Sequence, residues 1–264
     1  RLRQLIPDLP RAAERAVTDL PRSSYCLAFA LDPEQDGTYA QAVVVVRAEH
    51  PNLLRLSEGE QFSAEFLAIS PNAKIPAILD HEPTPEWGND PVPVFESAAI
   101  LLYLAEKTGQ FIPEATDRRA RKDMMEWLFW QVGNQGPMGG QLSHFRNYAP
   151  DDQKDYGFNR YLGEYDRNLG VLENRLTGRD WILDDYSIAD MLIFPWAFIA
   201  KPLGASLDAF PRVTDWRQRI KSRPAVQRAI ELYKGNQNRG QHRADNNTVL
   251  FNQSAASLRP EQDS

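Results

Sequence analysis

The hydrophobic pattern of this chain changes period near residue 113. Before that point apolar residues come in short runs of strand length separated by turns; beyond it they recur at helical spacing. Tyr25–Leu31 is an apolar, aromatic run stopped by Asp32-Pro33, and Asp32 to Gly37 is turn chemistry. Within Thr38–Glu49, the run Val43–Val46 fits either a strand or a buried helix, which periodicity does not separate. Leu53–Leu56 suits a short strand. Gln61–Ile69 predicts a short amphipathic helix, Asn72-Ala73-Lys74 a turn, and Ile75–Leu79 a short strand carrying Pro76. A proline there implies an edge, a bulge or a cis bond. After the proline-rich loop Pro83–Pro91 come a strand, Val92–Phe95, and a helix, Ser97–Thr108. Ser97 is the expected N-cap, Ala98, Leu101, Leu102 and Ala105 line one face, and Gly109 ends it.

From Asp117 onward the spacing predicts helices over Asp117–Gln131, Asp155–Leu176, Ser187–Ala200, Pro211–Ser222 and Pro224–Tyr233. Gly-Asn-Gln-Gly-Pro-Met-Gly-Gly, residues 133–140, reads as a break in the first of these helices. Ser187-Ile188-Ala189-Asp190 has the spacing of a capping box ahead of an apolar run. Losing Ser187 or Asp190 as a cap is expected to cost about 1–2 kcal/mol. The organisation expected is an N-terminal extension over 1–24, an α/β domain over 25–112, an all-α domain over 117–234 and a tail over 235–264. Arg11–Thr18 allows a short helix in the extension, and Val249-Leu250-Phe251 is an apolar patch by which the tail can dock.

Composition narrows the chemistry. The 264 residues carry 30 basic and 36 acidic side chains, a net charge of −6. An acidic chain is a poor general binder of nucleic acid or of an anionic membrane surface. No run of ~18 apolar residues is present to span a membrane, and Cys26–Leu31 is too short for a signal segment. A reducing cytoplasm is the expected setting. With one cysteine there is no internal disulfide, no CxxC pair and no cysteine-rich zinc site, so redox chemistry must use a borrowed thiol. Cys26 lies inside the first predicted strand and reads as a buried, inert thiol. The four histidines, His50, His81, His144 and His242, are scattered without metal-ligand spacing, so no metal is expected. The glycine-rich stretch follows a helix rather than a strand, which argues against a dinucleotide site.

Two short motifs carry the binding chemistry. Taken alone, Ile75-Pro76 is either an ordinary edge-strand proline or, with a cis bond, a place where the backbone of the preceding residue is open to an extended ligand. Glu96-Ser97 sits where a strand gives way to a helix, and free N–H groups with the helix dipole there favour an anion.

Asn72-Ala73-Lys74-Ile75-Pro76-Ala77, then Phe95-Glu96-Ser97-Ala98-Ala99-Ile100, then an all-α half holding Ser187-Ile188-Ala189-Asp190, resembles the cytosolic glutathione transferases. Gly59-Glu60-Gln61-Phe62, Trp130-Gln131-Val132-Gly133, Gly136-Pro137-Met138 and His144-Phe145 resemble the nu class, bacterial members with disulfide-bond reductase activity. The resemblance runs almost continuously from residue 57 to about 233. It implies a thioredoxin-like α/β domain followed by an all-α domain, a homodimer, and glutathione as cosubstrate. The partners it implies are glutathione or glutathione disulfide with a small disulfide, peroxide or electrophile.

The same resemblance assigns roles. The Ile75-Pro76 bond is cis and Ile75 pairs with the cysteinyl unit of glutathione. Ser97 holds the γ-glutamyl carboxylate and Glu96 the α-ammonium. Gln61 and Lys74 contact the glycyl and backbone end. The glycine-rich segment walls the pocket of the second substrate. Arg160, which with Tyr161 is expected to begin a helix, is either a glutathione contact or a surface arginine.

One stretch departs from the pattern. The nu class places Thr-Pro-Asn-Gly after its first strand, and the Thr and Asn donate to the glutathione sulfur. Here the corresponding turn is Asp32-Pro33-Glu34, which keeps the proline and loses the donors. Carboxylates beside the sulfur disfavour a thiolate. Residues 1–56 are therefore rearranged, read from a shifted frame, or aligned with a slip that lets Thr38, Ser23 or Ser24 supply the donor. No catalytic residue is assigned.

Overall fold

The computed structural model describes residue 54, residues 59–236 and residues 253–258. The expected elements within 1–53, the Asp32-Pro33-Glu34 turn and the Val249–Phe251 patch lie outside these residues. The chain divides into two units, whose described parts are residues 54, 59–107 and 253–258, and residues 108–236.

The first unit is built on a hairpin. Strands β1 (Ala77–Asp80) and β2 (Val92–Phe95) pair antiparallel, with Ala77 opposite Phe95 and Asp80 opposite Val92. Ile78 and Asp80 are the buried positions of β1, whereas β2 has none, so only one strand of the pair is drawn fully into the core. Pro76 precedes the strand instead of interrupting it, so the strand starts two residues later than the alternation suggests. The single helix expected over Gln61–Ile69 is two pieces: a 3₁₀ turn, Glu60–Phe62, and helix α1 (Ala64–Ile69). Ser63 separates them because its side chain caps α1, accepting from the Phe66 N–H at 3.2 Å. Helix α2 spans Ser97–Thr108 as expected, with Ile100, Leu101, Leu104 and Ala105 buried and Gly109 at φ 65° just past its end.

The described part of the second unit is built of helices: α3 (Arg118–Trp130), α4 (Gly136–Asn147), α5 (Asp151–Arg175), α6 (Ile188–Phe198), α7 (Pro211–Lys221) and α8 (Pro224–Asn236). Its core gathers Tyr165, Leu169 and Leu172 of α5, Ile193 and Ala197 of α6, and Val213, Trp216 and Ile220 of α7.

The glycine-rich segment does not break the helix. Residues Gln131–Gln135 form a π-helical turn that joins α3 to α4 without a gap, with the Gly136 N–H bonded to the Gln131 carbonyl. The glycines serve packing: a Cβ on Gly139 would lie 2.5 Å from Cε3 of Trp196. Gly157 plays the same part on α5, where a Cβ would meet the Phe145 ring at 2.1 Å. Both glycines let an aromatic ring lie directly on a helix backbone.

Among the described residues no helix is long and apolar enough to cross a membrane.

Candidate functional site

The site is assembled by the hairpin register. The pairing ends at Ala77 opposite Phe95, and Pro76 and Glu96 are the next residues of the two strands at that end. The two motifs that the sequence separates by twenty residues thus meet at the open end of one hairpin. Each is held by its own turn. On the Pro76 side, the Ala73 N–H donates to the Ser70 carbonyl at 2.9 Å and Ser70 Oγ donates to the Lys74 carbonyl at 2.9 Å. Ala73 is 2% exposed with φ 52°, and the Ile75-Pro76 bond is cis.

On the other side Glu96 takes φ 69°, a left-handed conformation that a non-glycine residue seldom adopts. It turns the chain sharply from β2 into α2. The Glu96 carbonyl accepts the Ile100 N–H at 2.9 Å, the first α-helical bond, so the N-cap is Glu96 and Ser97 is the first helical residue. The expectation of Ser97 as N-cap is corrected by one position. The N–H groups of Ser97, Ala98 and Ala99 precede that first bond and have no intrahelical acceptor, so they can meet an anion.

Asn72 links the two sides. Its Nδ2 donates to Glu96 Oε1 at 3.3 Å. The sequence marks Asn72 only as a turn residue; its signal was its place four residues before Pro76 in the same motif.

The remaining predicted residues divide as follows. Gln61 lies in the 3₁₀ turn, 1% exposed, and its Oε1 has no partner among the described residues. A buried amide oxygen without a partner is costly, and an incoming donor would relieve it. Lys74 is exposed, and its Nζ donates to Gln253 Oε1 at 3.1 Å. Arg160 belongs to the helical unit. It does not begin a helix but lies well inside α5, exposed and paired with Glu164 at 2.9 Å, where Arg167 also bonds Glu164 at 3.0 Å. Helix α5 starts at Asp151, four residues before the predicted boundary, because Pro150 stands at its N-cap and fits the turn into the helix. Among the described residues no group of three or more His, Cys, Asp or Glu is placed to hold a metal ion. Cys26 lies outside them.

The profile of the glutathione S-transferase N-terminal domain matches residues 46–106, and that of the C-terminal domain matches residues 144–224. The chain belongs to the glutathione S-transferase family, with a thioredoxin-like N-terminal domain and a helical C-terminal domain. The disulfide-bond oxidoreductase YfcG of Escherichia coli is 47% identical over 176 residues, which cover 66% of this chain and 80% of YfcG. The disulfide-bond oxidoreductase YghU of the same organism is 42% identical over 185 residues, 67% of this chain and 61% of YghU. A glutathione transferase from Burkholderia graminis, solved with two glutathione molecules per subunit, shares 40% identity at a TM-score of 0.63 over 72% of this chain and 79% of that one. One from Pseudomonas putida, solved with a glutathione disulfide per subunit, shares 38% identity at 0.62 over 69% of this chain and 80% of that one. The resemblance read from the motifs is thus borne out. The N-terminal profile match begins at residue 46, downstream of Asp32-Pro33-Glu34.

Proposed function

We propose that this protein binds glutathione at the open end of the β1–β2 hairpin and uses its thiol for disulfide exchange. The observation that carries the reading is the hairpin register, whose last pair, Ala77 with Phe95, puts Pro76 and Glu96 at the same end. The backbone groups of Ile75 take the cysteinyl unit as an added strand. The N-terminus of α2, with Ser97, takes the γ-glutamyl carboxylate, and the Glu96 carboxylate takes the α-ammonium. Gln61 and Lys74 receive the glycyl and backbone end, and Arg160 is a further candidate contact. YfcG and YghU, named as disulfide-bond oxidoreductases, and the glutathione-bound neighbours support this assignment.

In the reaction, the bound glutathione thiolate attacks one sulfur of a small disulfide. The S–S bond breaks, a glutathione mixed disulfide forms and one substrate thiolate leaves. A second glutathione thiolate attacks the mixed disulfide and releases glutathione disulfide and the second substrate thiol. Two glutathiones are oxidised for each disulfide reduced. The chain positions the thiol and supplies no nucleophile of its own. Peroxide reduction or addition to an electrophile would draw on the same thiolate. The domains proposed are 25–112, with 25–56 atypical, and 117–234, and a homodimer in the cytoplasm is the proposed working form.

Glutathione titration by calorimetry tests the site. Glu96→Gln and Ser97→Ala should each weaken binding about tenfold, the worth of one charge-assisted hydrogen bond. Unchanged affinity in both would reject the site.

A second reading is favoured by the Asp32-Pro33-Glu34 turn: a glutathione-binding homologue without thiol activation. The ultraviolet absorbance of bound glutathione thiolate against pH separates the two. An apparent pKa below the free thiol value of about 8.5 supports the enzyme, and one at or above it supports the binder.

A further inference from the structure

We propose that Asp80 is a positioning residue for the glutathione site, fastening helix α2 to the hairpin and so setting where the Glu96–Ser97 end stands relative to Ile75–Pro76. The inference rests on the reading of that site given above.

The hairpin has two ends. Pro76 and Glu96 stand at the open one, and Asp80 stands opposite Val92 at the other. Helix α2 leaves the chain directly after Glu96, and its later turns reach Asp80: Tyr103 Oη donates to Asp80 Oδ2 at 2.7 Å, and Lys107 Nζ bonds the same oxygen at 2.6 Å. The other carboxylate oxygen accepts the Glu82 N–H at 3.0 Å, and Lys107 also donates to the Glu82 carbonyl at 2.6 Å. From Ser97 to Lys107 a helix rises about 15 Å. From Pro76 to Asp80 a strand spans about 13 Å. The two lengths match, so α2 runs alongside β1 and is attached at both ends, covalently through Glu96 and by polar bonds at Asp80.

The polar attachment differs in kind from the packing beside it. Ile100, Leu101 and Leu104 bury α2, but the apolar driving force is non-directional. Hydrogen bonds to a fully buried carboxylate are directional and short, and they set the helix in one axial position. Trp87 steadies the donor, meeting the Tyr103 ring edge-on at a centroid distance of 5.4 Å. A shift of α2 along its axis would carry its N-terminal N–H groups away from where an anion beside Pro76 must sit. The ligand group that reads this position is the γ-glutamyl carboxylate. The thiol and glycyl parts read Ile75, Lys74 and Gln61, which α2 does not carry.

The experiment compares glutathione with cysteinylglycine, which lacks the γ-glutamyl unit. Both are titrated calorimetrically into the full-length wild type and Asp80→Asn, well below the melting temperature of each. The wild type should prefer glutathione. In Asp80→Asn that preference should fall about fivefold or more, through weaker glutathione binding with cysteinylglycine affinity unchanged. A general loss of stability would not move the ratio. If Asp80→Asn does not fold, Tyr103→Phe removes one bond, keeps the ion pair and carries the same comparison with a smaller fall. An unchanged ratio in a folded variant overturns the positioning role. Equal wild-type affinities for the two ligands would instead reject the γ-glutamyl assignment, and the positioning role falls with it.

Discussion

Among the described residues each unit buries one aspartate completely, and the two behave in opposite ways. Asp80, in the hairpin unit, accepts from Tyr103, from the Glu82 N–H and from Lys107, and the last of these is a cation at 2.6 Å. Asp190, in the helical unit, accepts from the Ile182 N–H at 3.0 Å, the Ser187 N–H at 3.0 Å, Ser187 Oγ at 3.3 Å and Trp216 Nε1 at 2.7 Å, all neutral donors. Burial pushes both carboxyls up. At Asp80 it is outweighed by the hydrogen bonds from Lys107, Tyr103 and Glu82 together with the ammonium charge, so that carboxyl sits below its ordinary value. At Asp190 burial outweighs its four bonds and the carboxyl sits above its ordinary value. Two differences separate them: Asp190 lies deeper among other atoms, so burial weighs more on it, and its donors are all neutral, whereas one of those at Asp80 is the Lys107 ammonium.

The signs for stability follow. Asp80, lowered in the folded state, contributes stability at pH values above its unfolded value of about 3.9 and loses it as pH falls through the lower folded value. Asp190, raised in the folded state, works the other way: stability grows as pH falls through its folded value and the gain is complete below about 3.9.

The largest effect is expected at Asp190. Asp190→Ala leaves the Ile182 and Ser187 N–H groups and the Trp216 indole N–H buried without their acceptor, a loss of about 4 kcal/mol in urea unfolding. The sequence, which shows only the cap, predicts at most half of this. A measured loss near 1 kcal/mol would mean that the cap alone matters there.

Next comes Lys107→Met, which strips the cation from Asp80 and makes it resemble Asp190. Unfolding at pH 7 should cost about 3 kcal/mol, since a buried carboxylate loses its counter-charge. Repeated near pH 4, the same comparison should show a smaller gap, because Asp80 can then take up a proton. A gap that is constant with pH would show that the ammonium does not hold the carboxylate ionised.

The smallest effect is expected from Ser187→Ala. Ser187 Oγ accepts the Ala189 N–H at 3.3 Å, and its loss should cost about 1 kcal/mol in the same assay. The Asp190 bonds to Ile182 and Trp216 would persist, so this variant separates the cap from the wider network.

Much of the fold is legible in local pattern. Helix α2 and strand β2 occupy the predicted residues, and the capping box at Ser187 and Asp190 is formed. These elements are settled by period and by end residues, both local properties. The glycine-rich stretch misled because glycine weakens an isolated helix. Here Trp196, fifty-seven residues beyond Gly139, occupies the space a side chain would need. Arg160 was misplaced for a related reason: the polar first turns of α5 show no apolar period from which to read a start.

The candidate site shows the same division. Pro76, Glu96 and Ser97 are visible as motifs because each needs a particular residue type at a strand or helix end. Sequence alone determined which residues begin and end the elements, since capping, turn and period act over a few positions. Tertiary structure decided what those ends face. Only the hairpin register brings Pro76 and Glu96 to the same end, only the packing of α2 on β1 brings Lys107 to Asp80, and only the approach of α7 brings Trp216 to Asp190. Pairings between distant positions depend on chain geometry, and no local pattern of residue types encodes it.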